Sequence, residues 1–322
     1  IDPSKYYGIQ TLRAKENFNI TKTDISLFPN FIKSLAKVKK ACALTNYELG
    51  DLSDMQKDAI VQACNEIIDG KFHDQFIVDP IQGGAGTSTN MNANEVIANR
   101  ALEILGKPKS SYDIIHPNNH INMSQSTNDV YPTAIKLTLH ELIYKLKESL
   151  RFLRDCFEEK SVEFKDVLKM GRTQLQDAVP MTLGQEFKTF AVMIDADIFR
   201  LRDVQAHLRE VNLGATAIGT GINSKAAYQR KVISNLREVT GVDYIAAGDL
   251  IEATQDTGSF VHISGMLKSV AIKVSKICND LRLLSSGPRA GFNEINLPPM
   301  QPGSSIMPGK VNPVMPEVVN QV

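Results

Sequence analysis

Residues 303–312 read Gly-Ser-Ser-Ile-Met-Pro-Gly-Lys-Val-Asn, a run that puts hydroxyls, backbone N–H groups and a cation close together in the chain. A serine hydroxyl is a poor base at neutral pH. It becomes usable only where N–H donors or a cation hold its alkoxide. Around Ser304 both are at hand, the cation being Lys310, and Gly303 and Gly309 give the backbone freedom to move and to expose its N–H groups. Local chemistry alone fits either a proton-abstracting loop or a flexible polar connection.

A second polar run, Ser126-Thr127-Asn128-Asp129, stands just ahead of Pro132. Short polar side chains of this kind cap helices. The same helix end, with free N–H groups and the positive end of its dipole, also binds carboxylates. Residues 83–90 (Gly-Gly-Ala-Gly-Thr-Ser-Thr-Asn) lack the Gly-Lys-Ser/Thr ending of a phosphate loop. Neither they nor residues 214–221 sit in the strand–helix unit of a dinucleotide fingerprint, so a hydroxyl-rich anion loop is the functional reading left. His116 and His120 are four apart, but Pro117 argues against a helix through them and no His-Glu-x-x-His set occurs, so no metal site is predicted. Lys39-Lys40 reads as a solvated helix face.

The elements that must position these segments are helices. Leu139, Ile143, Leu146, Leu150, Leu153 and Phe157 repeat at spacings of three and four; so do Leu183, Phe187, Phe190, Ile194, Leu201, Val204, Leu208 and Val211; and so do Ile263, Leu267, Val270, Val274, Ile277, Leu281 and Leu284. Alternating three and four marks helices packed side by side at a shallow angle. The first should open near Pro132 and run to about Asp166, roughly 50 Å at the helical rise per residue. Shorter helices are predicted over 30–49, 53–69 and 93–105. No region alternates with period two, so strands should be few. A boundary is expected where the polar run 126–132 meets the first long helix.

Composition narrows the function. Lys plus Arg and Asp plus Glu are both 36, and this balance argues against a nucleic-acid surface. No apolar run approaches the length that crosses a bilayer. Cys42, Cys64, Cys156 and Cys278 are far apart and read as free thiols of a reducing compartment, the cytoplasm.

Together these segments resemble the aspartase/fumarase superfamily. The similarity is carried by GSSIMPGKVN at 303–312 followed by PVMPEVVNQV, by GAGTSTNMNANEVIANRA at 84–101, NMSQSTNDVYPTA at 122–134, KMGRTQLQDAVPMTLGQEF at 169–187 and GATAIGTGIN at 214–223, and it runs from Tyr6 to Val322. Within the superfamily the chain looks more like the aspartase branch than like fumarases, which tend to read Ser-Ser-Asn-Asp at 126–129. The resemblance implies a mostly α fold, with an N-terminal helical domain over residues 1–127 and an elongated bundle of long central helices over 128–322. It implies a homotetramer whose active sites are each shared among three subunits. It also implies that the end of the bundle and a small C-terminal domain follow Val322, leaving this chain incomplete. The activity implied is reversible elimination of ammonia from L-aspartate to give fumarate, without cofactor or metal.

Residue by residue, the resemblance implies Ser304 as the base that takes the Cβ proton. It implies Thr87, Ser126, Thr127, Asn128 and Thr173 as ligands of the substrate carboxylates and amine. Lys310 and Asn312 would hold the carboxylate beside the carbanionic carbon, and Ser305 is a neighbouring oxyanion donor. The chemistry agrees: the proton β to the amine is α to the far carboxylate, and its removal makes an aci-carboxylate dianion that needs donors where charge grows. Gln174 stands where many members have a histidine, which in fumarases pairs with a glutamate matched here by Glu317. Glutamine cannot take a proton at neutral pH, which weighs against fumarate hydratase, the nearest alternative activity. A non-catalytic helical scaffold or inactive fragment is the alternative of another class.

Overall fold

The three-and-four spacing of apolar residues becomes long helices in the computed structural model, which describes residues 2–322. In chain order these are α1 (Ile9–Asn17), α2 (Pro29–Glu48), α3 (Asp54–Ile68), α4 (Thr87–Ile104), α5 (Thr127–Glu163), α6 (Leu183–His207), α7 (Tyr228–Thr240), α8 (Leu250–Gln255), α9 (Gly258–Leu284) and α10 (Val314–Gln321). Strands among the described residues are four and short: an antiparallel hairpin of β1 (Leu168–Thr173) and β2 (Gln176–Thr182), and a parallel pair of β3 (Glu210–Val211) and β4 (Ile245–Ala246). No described helix is long and apolar enough to cross a membrane. The chain divides into two compact units, one running to Leu142 and resuming over Gln205–Thr257, the other made of Ile143–Val204 and Gly258–Val322. This partition differs from a single cut at 127/128, because α5 and α6 each contribute to both units.

In the first unit, α2 buries Ile32, Leu35, Val38 and Cys42 on one face. Its neighbours supply Ile60 and Ile67 from α3, Val96 and Ile97 from α4, and Tyr228, Val232 and Leu236 from α7. Ser53 caps α3 in a reciprocal box with Gln56. The buried carboxylate of Glu95 accepts from Gly8 N (2.8 Å), Gln10 N (3.0 Å), Thr11 N (3.1 Å) and Thr11 Oγ1 (2.6 Å), so α4 supplies the cap for the start of α1. A side chain at Gly8 would lie 2.6 Å from that carboxylate.

Two helix starts differ from expectation. α4 begins at Thr87 rather than Ala93. Its polar first turns are buried, and neighbouring chain binds several of their groups: Thr89 N donates to Gln82 Oε1 (2.9 Å), and Asn92 Nδ2 donates to the Gln75 carbonyl (3.0 Å), while Asn90 Oδ1 and Asn94 Oδ1 are left without a partner among the described residues. α5 begins at Thr127, so Pro132 falls in its second turn rather than at its opening. Proline has no N–H to give the carbonyl four residues back. The Asn128 carbonyl instead accepts from Asn212 Nδ2 at 3.0 Å.

The second unit holds the later part of α5 with α6, α9 and α10. Phe157 packs against Phe187 and Phe190, and Arg154 pairs with Asp195 at 2.9 Å, joining α5 to α6. Lys273 of α9 reaches the fully buried Asp197 of α6. Asn320 of α10 binds the Ser275 carbonyl at 3.1 Å. The hairpin closes with a two-residue turn, Gln174-Leu175, both at positive φ (53° and 62°) between the paired Thr173 and Gln176. That is the geometry short hairpins favour, made here without the usual asparagine or glycine.

Gly86 stands at the entry to α4 with φ +95°, and a Cβ there would lie 2.4 Å from the Tyr131 ring of α5. Gly86→Ala therefore combines a left-handed backbone with a clash. It is expected to destabilise the protein by about 2 kcal/mol, a fall of several degrees in Tm read by thermal denaturation. A variant melting with wild type would show that this contact is not required.

Candidate active site

Four of the ten candidate residues lie in the first unit, where two helix N-termini meet. Thr87 opens α4, and its hydroxyl donates to the Gly84 carbonyl at 2.6 Å. Ser126 precedes α5 and accepts from Asn128 N at 3.2 Å, while its own N–H goes to Asp129 Oδ1 at 2.9 Å, so the helix-cap reading of Ser126 is realised. Thr127 is buried and its Oγ1 accepts from Asn90 Nδ2 of α4 at 3.1 Å. Asn128 is exposed and donates to the Ala217 carbonyl at 2.7 Å. The contact between Gly86 and Tyr131 and the bond between Asn90 and Thr127 bring the α4 and α5 ends together, making a rim of hydroxyls and an amide at two helix N-termini, suited to a carboxylate.

Behind this rim is a polar cluster unexpected from the sequence. Lys39 is fully buried, not a solvated surface lysine. Its spacing held the signal: four after Leu35 and three before Cys42, it shares the buried face of α2. The ammonium donates to Asn122 Oδ1 (2.9 Å) and Gln125 Oε1 (2.8 Å), and Asn122 Oδ1 also accepts from Asn90 Nδ2 at 3.0 Å. Burial pulls the Lys39 amine down from 10.5 to about 8, against the attraction of Cys42, Asp129 and Cys64. Burial likewise pushes Asp129 up from 3.8 to about 6, although N–H groups of Ser126, Thr216 and Gly214 bind its carboxylate and oppose the shift. Tyr131 also lines an apolar groove of about 360 Å³ with Phe28, Phe31 and Leu139, which holds no acid, base or cation.

The other six lie in the second unit. Ser304, Ser305, Lys310 and Asn312 share one loop, clasped at its base: Gly303 N donates to the Lys310 carbonyl (3.1 Å), and Asn312 Nδ2 donates to the Gly303 carbonyl (2.8 Å). A Cβ on Gly303 would lie 2.2 Å from the Lys310 oxygen, so this glycine permits a close approach rather than a hinge, while Gly309 takes φ +85°. Ser304 Oγ accepts from Ile306 N at 3.3 Å, and Ser305 and Lys310 are exposed. Thr173 and Gln174 stand exposed at the hairpin end. Arg172 beside them pairs with Glu294 and lies 4.2 Å from the Phe292 ring, and Lys169 meets Glu294 at 2.9 Å. Burial pushes the Glu294 carboxyl up, but the bonds from Arg172 and Lys169 outweigh it and hold the group below the usual range.

Comparison with known proteins finds lyases throughout. A family model described as Lyase matches residues 2–322. An aspartate ammonia-lyase of Helicobacter pylori is 62% identical over all 322 residues, which cover 69% of that protein. A Brucella melitensis structure described as fumarate lyase:delta crystallin superposes with a TM-score of 0.98 at 57% identity, covering 100% of this chain and 70% of that one. A class II fumarase structure from Schistosoma mansoni superposes at 0.95 with 36% identity, covering 100% and 70%. The chain thus spans about two thirds of the length of these relatives.

The buried lysine has a pH signature. Between about pH 8 and 10.5 the folded state has released the Lys39 proton that the unfolded chain still binds, so stability rises with pH across that window. Measured by denaturant unfolding, wild type should gain up to about 3 kcal/mol on Lys39→Met between those limits. Parallel pH profiles for the two proteins would contradict a buried, charge-penalised Lys39.

Proposed function

The chain belongs to this lyase family, and from that premise we propose that it is the lyase segment of an aspartate ammonia-lyase, a carbon–nitrogen lyase that reversibly eliminates ammonia from L-aspartate to give fumarate. The observation that carries the reading is the 62% identity to the Helicobacter pylori aspartate ammonia-lyase over the whole chain, against 36% to the Schistosoma mansoni fumarase. Gln174 supports it, since an amide at the hairpin turn cannot do the proton work that hydration requires.

In this reading Thr87, Ser126, Thr127, Asn128 and Thr173 bind the substrate's carboxylates and amine. Ser304, as an alkoxide, takes the Cβ proton. The C–H electron pair moves into the adjacent carboxylate, making the aci-carboxylate dianion, which Lys310, Asn312 and the N–H and hydroxyl of Ser305 stabilise. The pair then returns to form the C=C bond as the C–N bond breaks and ammonia leaves. Loop 304–309 closes over the substrate and excludes water, which favours the charged intermediate.

The enzyme is proposed to be a cytoplasmic homotetramer with each active site drawn from three subunits. The second unit's helices support assembly: Phe152, Phe199, Val261 and Ile272 are between 59% and 72% exposed, large apolar side chains that a partner subunit would cover. The four free cysteines fit a reducing compartment.

Fumarate formation, followed by ultraviolet absorbance with the assembled full-length enzyme, should proceed from aspartate and not from malate; the reverse preference would overturn the assignment. Ser304→Ala should cut kcat by about 10²-fold or more while leaving aspartate binding largely intact. A variant keeping more than about a tenth of wild-type kcat would remove Ser304 as the base.

A further inference from the structure

The Lys39 cluster does more than fill the core. Among the described residues the ammonium's hydrogen-bond acceptors are two side-chain amides, and its bonds to Asn122 and Gln125 fix which end of each amide faces it, oxygen inward. With Asn122 Oδ1 so committed, Asn90 must turn its Nδ2 toward it, because the flipped amide would set oxygen against oxygen. The same Nδ2 then donates to Thr127 Oγ1, and Asn94 Nδ2 also points at Asn122 Oδ1, at 3.3 Å. A threonine hydroxyl that accepts from one side keeps its single proton for the other. We infer that Lys39 is a positioning residue: through Asn122 and Asn90 it spares the Thr127 proton, which a flipped Asn90 amide would take up, and keeps it free to donate to a carboxylate at the rim of α5.

The inference rests on the reading of Thr127 as a substrate ligand and adds what sets its polarity. A buried positive charge behind a helix N-terminus further favours an anion in front of it, because low dielectric preserves its field. Asp129 is the charged group of opposite sign at the same helix end, but the N–H groups of Ser126, Gly214 and Thr216 engage it.

The test is the binding of succinate, a dicarboxylate of the substrate's chain length without the amine, to the assembled full-length enzyme. Thr127→Val and Lys39→Met should each weaken binding about 10- to 100-fold, the range for losing a charge-supported hydrogen bond. The double variant should bind about as weakly as either alone, because both remove one linked donor. Multiplying effects in the double variant would reveal a merely structural lysine and sink the relay. Asn90→Asp keeps the buried charge while replacing the donor to Thr127 with an acceptor, and should weaken succinate to a similar degree; it decides the matter if Lys39→Met does not fold. Folded Lys39→Met or Asn90→Asp proteins binding within about twofold of wild type would overturn the inference. Wild-type binding by Thr127→Val would instead overturn the site reading beneath it, and the inference with it.

Discussion

An ammonium with no access to water must surround itself with oxygen, and in the first unit that requirement falls on Lys39. Leaving such a charge without acceptors costs several kcal/mol, so Asn122 and Gln125 are held in place by more than their own packing. Their positions set the approach to α5, whose N-terminus begins two residues after Gln125. Asp129, in the first turn of that helix, takes N–H groups from Gly214 and Thr216 and so draws a distant stretch of chain to the same place. The candidate carboxylate rim is the outer surface of this polar core.

The second unit solves a different problem, that of presenting a loop with almost no secondary structure. Here the constraint is backbone proximity. Gly303 touches the Lys310 carbonyl, Asn312 closes the clasp, and the intervening residues project from a fixed base. The hairpin has a comparable economy, since Gln174 and Leu175 accept left-handed backbone that most residues avoid. Such positions persist only where neighbours enforce them, and they concentrate at functional sites. The pairing of Thr173 with Gln176 closes the turn, and Arg172 and Lys169 on the same strand are both anchored on Glu294.

Helix periodicity was legible wherever one face is apolar. Leu183, Phe187, Phe190, Ile194 and Leu201 are buried at the anticipated spacing. The start of α4 was not legible, because Thr89, Asn90, Asn92 and Asn94 read as loop, and their partners (Gln82, Asn122 and the Gln75 carbonyl) lie outside the helix. Pro132 misled for a similar reason: its missing donor is replaced by Asn212, eighty-four residues from the Asn128 carbonyl that accepts the bond. The Ser304 loop and the Ser126 run stood out because hydroxyls and glycines in such density serve no packing purpose. Lys39 was misread by its charge, although its spacing matched the buried face; Asn90 and Asn122 gain meaning only once that charge is placed inside.

The clasp of Glu95 on residues 8–11 ties the first helix to one formed eighty-four or more residues later. Loop closure over such a span is entropically unfavourable until the partner exists. During synthesis α1 therefore emerges with its N-terminal N–H groups uncapped and must wait until α4 has left the ribosome. A nascent chain arrested before residue 95 would carry a protease-sensitive α1 that longer chains lose.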